Sequence, residues 1–309
     1  VKKKLSFGVK LAVSVGLLGY LFRQTDFNLL WQTFRAVSWP PLLIAILFLA
    51  LFQGVSALRW QIVASFLGFS KPYKYFLNIY LIGVYFNTFL PGLLGGDLVR
   101  VFYLVRDGCS KTVASFSILY DRGFGLLGAL LLLLVFLPLE GGFLPPLGQK
   151  ALLVLSAVLL AGAVLLAIFL RFLRRRISHE LFQTATRITR LERFVILFLL
   201  GLMVQVLYNI HVFFLGQSLG LEVSWPKYFL IIPLMGILAS LPISLGGFGV
   251  REGTLSYLLG LLGYPTEVGV ALGFLTYGVN LLAGFCGWVC YLRSGRKEGK
   301  EEEWNSATS

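Results

Sequence analysis

Ionisable side chains inside apolar stretches are costly, so they mark where chemistry can happen in a membrane. The chain has few of them. Asp97 and Arg100 follow the break Leu90-Pro91-Gly92-Leu93-Leu94-Gly95-Gly96, and Arg251 and Glu252 follow Leu241-Pro242-Ile243-Ser244-Leu245-Gly246-Gly247. Asp121 and Arg122 sit in the apolar run 111–137. Each glycine pair precedes a helical run, where free backbone N–H groups and the positive helix end favour an anion. An arginine one turn further in, Arg100 or Arg251, adds a donor fork suited to a phosphate. The plainer alternative is that the glycines permit tight packing and each arginine pairs with a carboxylate.

The remaining polar residues have competing readings too. Asp97 is placed to cap its helix. Asp121 and Arg122 point about 100° apart on a helix, so pairing across to the hairpins is expected, Asp121 with Arg100 or Arg251. Glu252 offers a carboxylate for a coupling proton. Arg59 and His211 are expected nearer the ends of their spans, with His211 donating a helix–helix hydrogen bond. His179 and His211 are the only histidines, and neither has metal-ligand spacing with Cys or carboxylates. With no nucleotide-binding or nucleophile motif either, the sequence predicts no metal, no cofactor and no enzymatic activity. Cys109, Cys286 and Cys290 read as packing residues rather than a disulfide framework.

These residues must be held by membrane-spanning helices. Of 309 residues, 57% are hydrophobic and 13% charged, against about 25% charged in soluble domains. Uncharged runs of about 20 residues recur, the length that crosses a bilayer. A soluble enzyme, a disulfide-stapled secreted protein and a disordered chain are excluded. The fold class expected is an all-α polytopic membrane protein, one integral domain over 1–309. Spans are predicted at 40–62, 111–137, 150–170, 194–219 and 265–291. Lys2-Lys3-Lys4 and the apolar run to Phe22 read as an uncleaved first helix, since no small-residue cleavage site follows. Asp26 can cap a short interfacial helix carrying Phe27, Leu30, Trp31 and Phe34 on one face. The regions 73–106 and 226–262, interrupted by Pro and Gly, read as broken, re-entrant-type helical hairpins.

The net charge is +13, from 27 Lys/Arg and 14 Asp/Glu. Without a nucleic-acid motif, that charge predicts orientation and attraction to anionic lipids, and no nucleic-acid partner. If each hairpin returns to the side it entered, the N-terminus, Lys71, Lys74, Arg106, Lys111, a basic interfacial linker at 171–193 and the C-terminal tail share one face. The positive-inside rule then makes both termini cytoplasmic. The tail, 294–309, is expected to be disordered.

The two breaks are copies of each other. Leu90-Pro91-x-x-Leu94-Gly95-Gly96-x-x-Val99-Arg100 aligns without a gap to Leu241-Pro242-x-x-Leu245-Gly246-Gly247-x-x-Val250-Arg251. Upstream, Lys74-Tyr75-Phe76-Leu77 matches Lys227-Tyr228-Phe229-Leu230, Gln53 matches Gln205, and Arg59 lies opposite His211. Repeats at 40–137 and 194–291 follow, and the charge-derived topology makes them inverted. That architecture places a substrate site where broken helices meet near mid-bilayer.

These motifs, with Asn87-Thr88-Phe89-Leu90-Pro91-Gly92, Asp121-Arg122 and Gly246-Gly247-Phe248-Gly249-Val250-Arg251-Glu252-Gly253, resemble the lysylphosphatidylglycerol synthase transmembrane-region family. The resemblance covers nearly the whole chain. It implies a flippase-like module moving polar lipids, such as aminoacyl-phosphatidylglycerol or polyprenyl-phosphate-linked sugars, between leaflets. The chain ends shortly after its last span, so the soluble synthase domain of full-length members is expected to be missing. Tyr277-Gly278 stands roughly where the first copy has Tyr120-Asp121, so a charge-based role in that span is expected to be one-sided.

The expected function is a lipid flippase or transporter in the cell membrane. Arg100, Arg251, Gly95, Gly96, Gly246, Gly247, Asp97, Glu252, Asp121 and Arg122 are the candidate substrate-binding residues, and anionic membrane lipids the partners. A homo-oligomer or a lipid-biosynthesis partner fits the same picture. The rivals are an intramembrane enzyme acting on lipid phosphates, with Asp97, Asp121 or Glu252 as acid or base, and a non-transporting partner of a glycosyltransferase.

Overall fold

The computed structural model describes residues 2–89, 95–173, 182, 184, 186–241, 243–244 and 247–308; for 2–10, 89, 171, 173 and 295–308 it describes the backbone alone. The described residues are helical almost throughout. In chain order the helices are α1 (Lys2–Gln24), α2 (Phe27–Arg35), α3 (Trp39–Leu67), α4 (Tyr73–Phe89), α5 (Gly95–Arg106), α6 (Lys111–Glu140), α7 (Pro146–Leu173), α8 (Leu191–Ser218), α9 (Trp225–Ser240), α10 (Val250–Gly260) and α11 (Thr266–Thr308). Five are long and apolar enough to cross a membrane, over Trp39–Leu67, Lys111–Phe143, Pro146–Leu170, Leu191–Ser218 and Thr266–Ser294. The chain is an all-α polytopic membrane protein.

Local chemistry sets the helix ends. Asp26 caps α2 by accepting from the Asn28 and Leu29 N–H groups, as its spacing predicts. Ser110 caps α6 through the Val113 N–H. Gly68, in the left-handed region at φ 105°, ends α3, where a side chain would be strained. On α2, Leu30 packs on Val270 and Ala271 of α11, while Phe27 and Trp31 stay exposed, as on an interfacial helix. The backbone of α11 continues to Thr308, where the sequence predicts disorder from 294. The Lys- and Glu-rich run there is made of good helix formers. Residues 174–181, 183 and 185 of the expected 171–193 interfacial linker lie outside the described residues. Its end folds back: the Arg193 Nη1 group donates to the Phe66 carbonyl, and Arg187 donates to Leu67.

The order long helix, shorter helix, short helix, long helix occurs twice, as α3–α6 and α8–α11. The two runs pack on each other. Ala45 meets His211, Phe52 meets Tyr208 and Phe66 meets Arg193, so α3 and α8 cross antiparallel. The pairing α4 on α11 is mirrored by α9 on α6. Glycine allows close approach at these crossings. A Cβ on Gly201 of α8 would meet the Phe124 carbonyl of α6 at 2.3 Å, and one on Gly287 of α11 would meet the Leu81 carbonyl of α4 at 2.0 Å. By contrast, α7 buries almost none of its span.

Candidate functional site

The breaks in the chain bring charge together. Short helix α5 leans on α4 because Gly96 lets it: a Cβ there would lie 2.0 Å from the Gly83 carbonyl. That approach sets Asp97 and Arg100, one turn apart, against Asp121 and Arg122 of α6. Arg100 Nη2 donates to Asp121 Oδ2 at 2.9 Å and Arg100 Nη1 to Asp97 Oδ1 at 3.3 Å. Arg59 of α3 completes the other side of Asp121, with Nε 2.9 Å from Oδ1. Arg122 completes Asp97, at 3.0 Å from Oδ2. The result is an alternating chain, Arg59–Asp121–Arg100–Asp97–Arg122, drawn from three helices.

The network is buried except at one end. The Arg59, Arg100, Asp97 and Asp121 side chains are at most 7% exposed, whereas that of Arg122 is 53% exposed. Arg100 also stacks over Trp60 at 4.0 Å and Tyr80 at 4.8 Å, which favours the charged guanidinium in a desolvated place. Two donors find no hydrogen-bond partner, Arg59 Nη1 and Arg100 Nε.

Beside this network lies a cavity of about 460 Å³. All five charged residues line it, together with Ser56 and Gly125, and the opposite wall is Gln205 and Tyr208 of α8 and Pro233, Gly236 and Ser240 of α9. It therefore opens between the first run of helices and the second. Gln205 ties the walls, donating from Nε2 to the Gly125 carbonyl at 2.8 Å. At 1.5 Å per residue, Asp121 is about 15 Å inside α6.

The second break is built differently. Gly249 starts α10 at φ 81°, and its N–H donates to Glu252 Oε2 at 2.8 Å. Arg251 Nε donates to Glu252 Oε1 at 3.1 Å. The guanidinium faces the rings of Tyr277 and Phe248 at 5.3 and 5.7 Å, and its Nη2 has no partner. Tyr277 reaches across to the first break, donating to the Thr88 carbonyl at 3.2 Å.

Several expectations change at this point. Asp97 does not cap its helix; it sits in the first turn of α5 and accepts from two arginines. At each helix start one N–H is already taken: that of Gly96 donates to Asn87 Oδ1 at 2.8 Å and that of Gly249 to Glu252. Gly95 opens α5, and Gly247 adopts φ 81° against Ala239; Gly246 lies outside the described residues. Arg251 and Glu252 are not among the residues lining the cavity, since the carboxylate and the aromatic rings hold the guanidinium elsewhere. The pairing of Asp121 with Arg100 is present, and His211 Nδ1 bonds the Ala45 carbonyl at 2.8 Å. Arg59 is the residue that spacing alone missed. Among the described residues no group of three or more His, Cys, Asp or Glu is placed to hold a metal.

Residues 8–286 match the lysylphosphatidylglycerol synthase TM region. The chain belongs to that family. A relative described as a UPF0104 membrane protein, from Archaeoglobus fulgidus, is 26% identical over 174 residues, 56% of this chain. The match spans about half, 52%, of that relative's length. Asp97, Arg100, Asp121 and Arg122, four of the residues that carry the resemblance, all line one cavity.

Proposed function

We propose that the chain is a lipid flippase or transporter that carries an anionic headgroup between leaflets while the acyl chains stay in the bilayer. The observation that carries this reading is the cavity: a chain of three arginines and two aspartates, buried except at the half-exposed Arg122, lines it between two packed halves. Charge this deep in a spanning bundle costs several kcal/mol by order of magnitude unless it is used or fully compensated. Family membership supports a lipid-related role in the membrane.

In this account the two runs are inverted repeats, related by a two-fold axis in the membrane plane. The antiparallel crossing of α3 and α8 and the exchanged pairings of α4 and α9 support it. Arg122 receives the headgroup at the mouth, Arg100 and Arg59 hold it, and Arg251 of the second break is the next station. Gly95, Gly96 and Gly247 shape the hairpins, and Asp97, Asp121 and Glu252 hold the arginines apart. Both termini face the cytoplasm of a cell-membrane protein whose partners are anionic lipids. The chain leaves covalent structure unchanged.

Reconstitution into liposomes tests this. Protein should speed the transfer of a fluorescent anionic phospholipid between leaflets, with lipid masses unaltered, and Arg100→Ala should reduce the rate to the protein-free level. No acceleration for any anionic lipid, or altered lipid masses, would contradict the reading.

A further inference from the structure

The two breaks are held in different ways. Charge fixes α5, whose Asp97 and Arg100 pair with Arg122 and Asp121 of α6. Among the described residues the only ion pair of α10 is internal, Arg251 with Glu252, so packing must hold this helix. One face lies on α11, where Gly269 has no room for a Cβ against Ser256, and a Cβ on Gly273 would meet Glu252 Cγ at 2.9 Å. Another face carries Gly249 and Gly253, which stack one turn apart, and α1 lies along it. A Cβ on Gly249 would sit 2.7 Å from Leu17 Cβ and 3.3 Å from the Ser14 carbonyl. One on Gly253 would meet Leu21 Cδ1 at 3.8 Å and nothing else within 4 Å. Ser14 and Leu21 are buried, while Val15 and Tyr20 of α1 are exposed. Glycine is what lets two helices approach this closely in a bilayer.

The repeat provides an internal control. Carried two residues further, the ungapped alignment sets Leu98 opposite Gly249 and Phe102 opposite Gly253. Leu98 and Phe102 are 66% and 61% exposed. The face that α5 turns outward with large side chains is thus reduced to glycine on α10 and covered by α1. The far end of α1 is fastened too. Phe22 stacks on Phe274 of α11 at 6.1 Å, and the Asp26 N–H donates to the buried Glu267 carboxylate at 2.8 Å.

We infer that α1 is a clamp on the second break, standing in for the ion pairs that hold the first, and that Leu17 and Leu21 are positioning residues for Arg251. Arg251 lies between the two seated glycines. A shift of the first turn of α10 would carry its guanidinium away from the Tyr277 and Phe248 rings that it now faces. Arg100, tied to Asp121, would stay where it is. This assignment goes beyond the lipid-carrying reading and does not depend on it.

Arginine reactivity tests it without transport. The full chain in phosphatidylcholine nanodiscs is treated with phenylglyoxal, and modification of Arg251 and Arg100 is followed separately by peptide mass spectrometry. Gly253→Leu fills the groove and presses on α1 alone. Arg251 should then react at least about tenfold faster than in the wild type, with Arg100 within about twofold, as expected of a local opening. Leu21→Ala trims the clamp from the α1 side and should speed Arg251 about threefold, whereas Leu21→Met keeps the bulk and should match the wild type. Should Gly253→Leu fail to fold, the two Leu21 variants decide. Unchanged Arg251 reactivity in folded Gly253→Leu or Leu21→Ala would overturn the inference, because α1 would then not hold α10. Equal acceleration of both arginines would overturn it as well, since that reports a general loosening. A chain that carries no lipid would sink the flippase reading and leave this result unaffected.

Discussion

At the scale of residues, Asp121 is the keystone, because its two oxygens each hold a different buried arginine. Asp121→Asn removes the charge that Arg59 and Arg100 share, and breaking such a pair costs about 3–5 kcal/mol. Arg122→Gln removes a half-exposed partner and should cost about 1 kcal/mol or less. Denaturation midpoints in detergent should rank the variants in that order; the reverse order would mean the network is not buried in solution. Outside the spans, burial pushes the Cys109 thiol up to about 11. Folding therefore favours the neutral thiol. The stability it contributes is full below the ordinary thiol value, and it is lost as pH rises from there through about 11. Alkylation of Cys109 in the folded chain should stay slow through pH 9, and fast labelling at pH 7.5 would contradict its placement. That Asp121 pairs with a hairpin arginine was readable from the sequence, since two adjacent charged residues on a helix need separate partners, but the choice of Arg100 over Arg251 was not. Arg59 was not. The apolar run reads as ending near 62, but α3 continues to Leu67, which puts Arg59 a turn or more deeper than its sequence position suggests.

At the scale of elements, the decisive feature is the lean of α5 on α4. It depends on Gly96 facing Gly83, and Gly83 in turn underlies the Arg100 stem, where a Cβ would lie 3.0 Å from Cγ. Gly96→Ala has no room, because the blocking atom is backbone. It should separate the two limbs of the hairpin, cost about 1–3 kcal/mol as overpacking does, and lower lipid transfer with Arg100 still present. Wild-type stability and transfer in Gly96→Ala would show that the crossing is looser than described. The five long helices were legible to within a few residues at most ends, because nothing but a spanning helix satisfies an apolar run of that length. The use of the glycines was less legible. Sequence makes Gly95-Gly96 and Gly246-Gly247 look alike, yet Gly96 serves a helix crossing while Gly247 and Gly249 serve left-handed turns. That difference comes from tertiary packing, including Leu17 of α1, which would lie 2.7 Å from a Cβ on Gly249.

At the scale of the whole molecule, two similar runs of helices enclose one polar cavity, and the charge lies almost entirely on the wall from the first run. The one-sidedness was visible in Tyr277-Gly278 replacing Tyr120-Asp121. What the sequence did not show is that Tyr277 then takes a different task, meeting Phe248 edge-on at 4.7 Å and bonding Thr88, so that it couples one half to the other. Transport of this kind requires the cavity to be the route of the headgroup. Ser240 lines it on α9 and is exposed, whereas Leu119, on the outer face of α6, is 63% exposed and lies away from it. With Cys109, Cys286 and Cys290 replaced, the most direct measurement is lipid transfer by Ser240→Cys and Leu119→Cys before and after a charged methanethiosulfonate, with modification verified by mass. Transfer should stop in modified Ser240→Cys, return on reduction, and continue in modified Leu119→Cys. Undiminished transfer with Ser240→Cys fully modified would contradict the account.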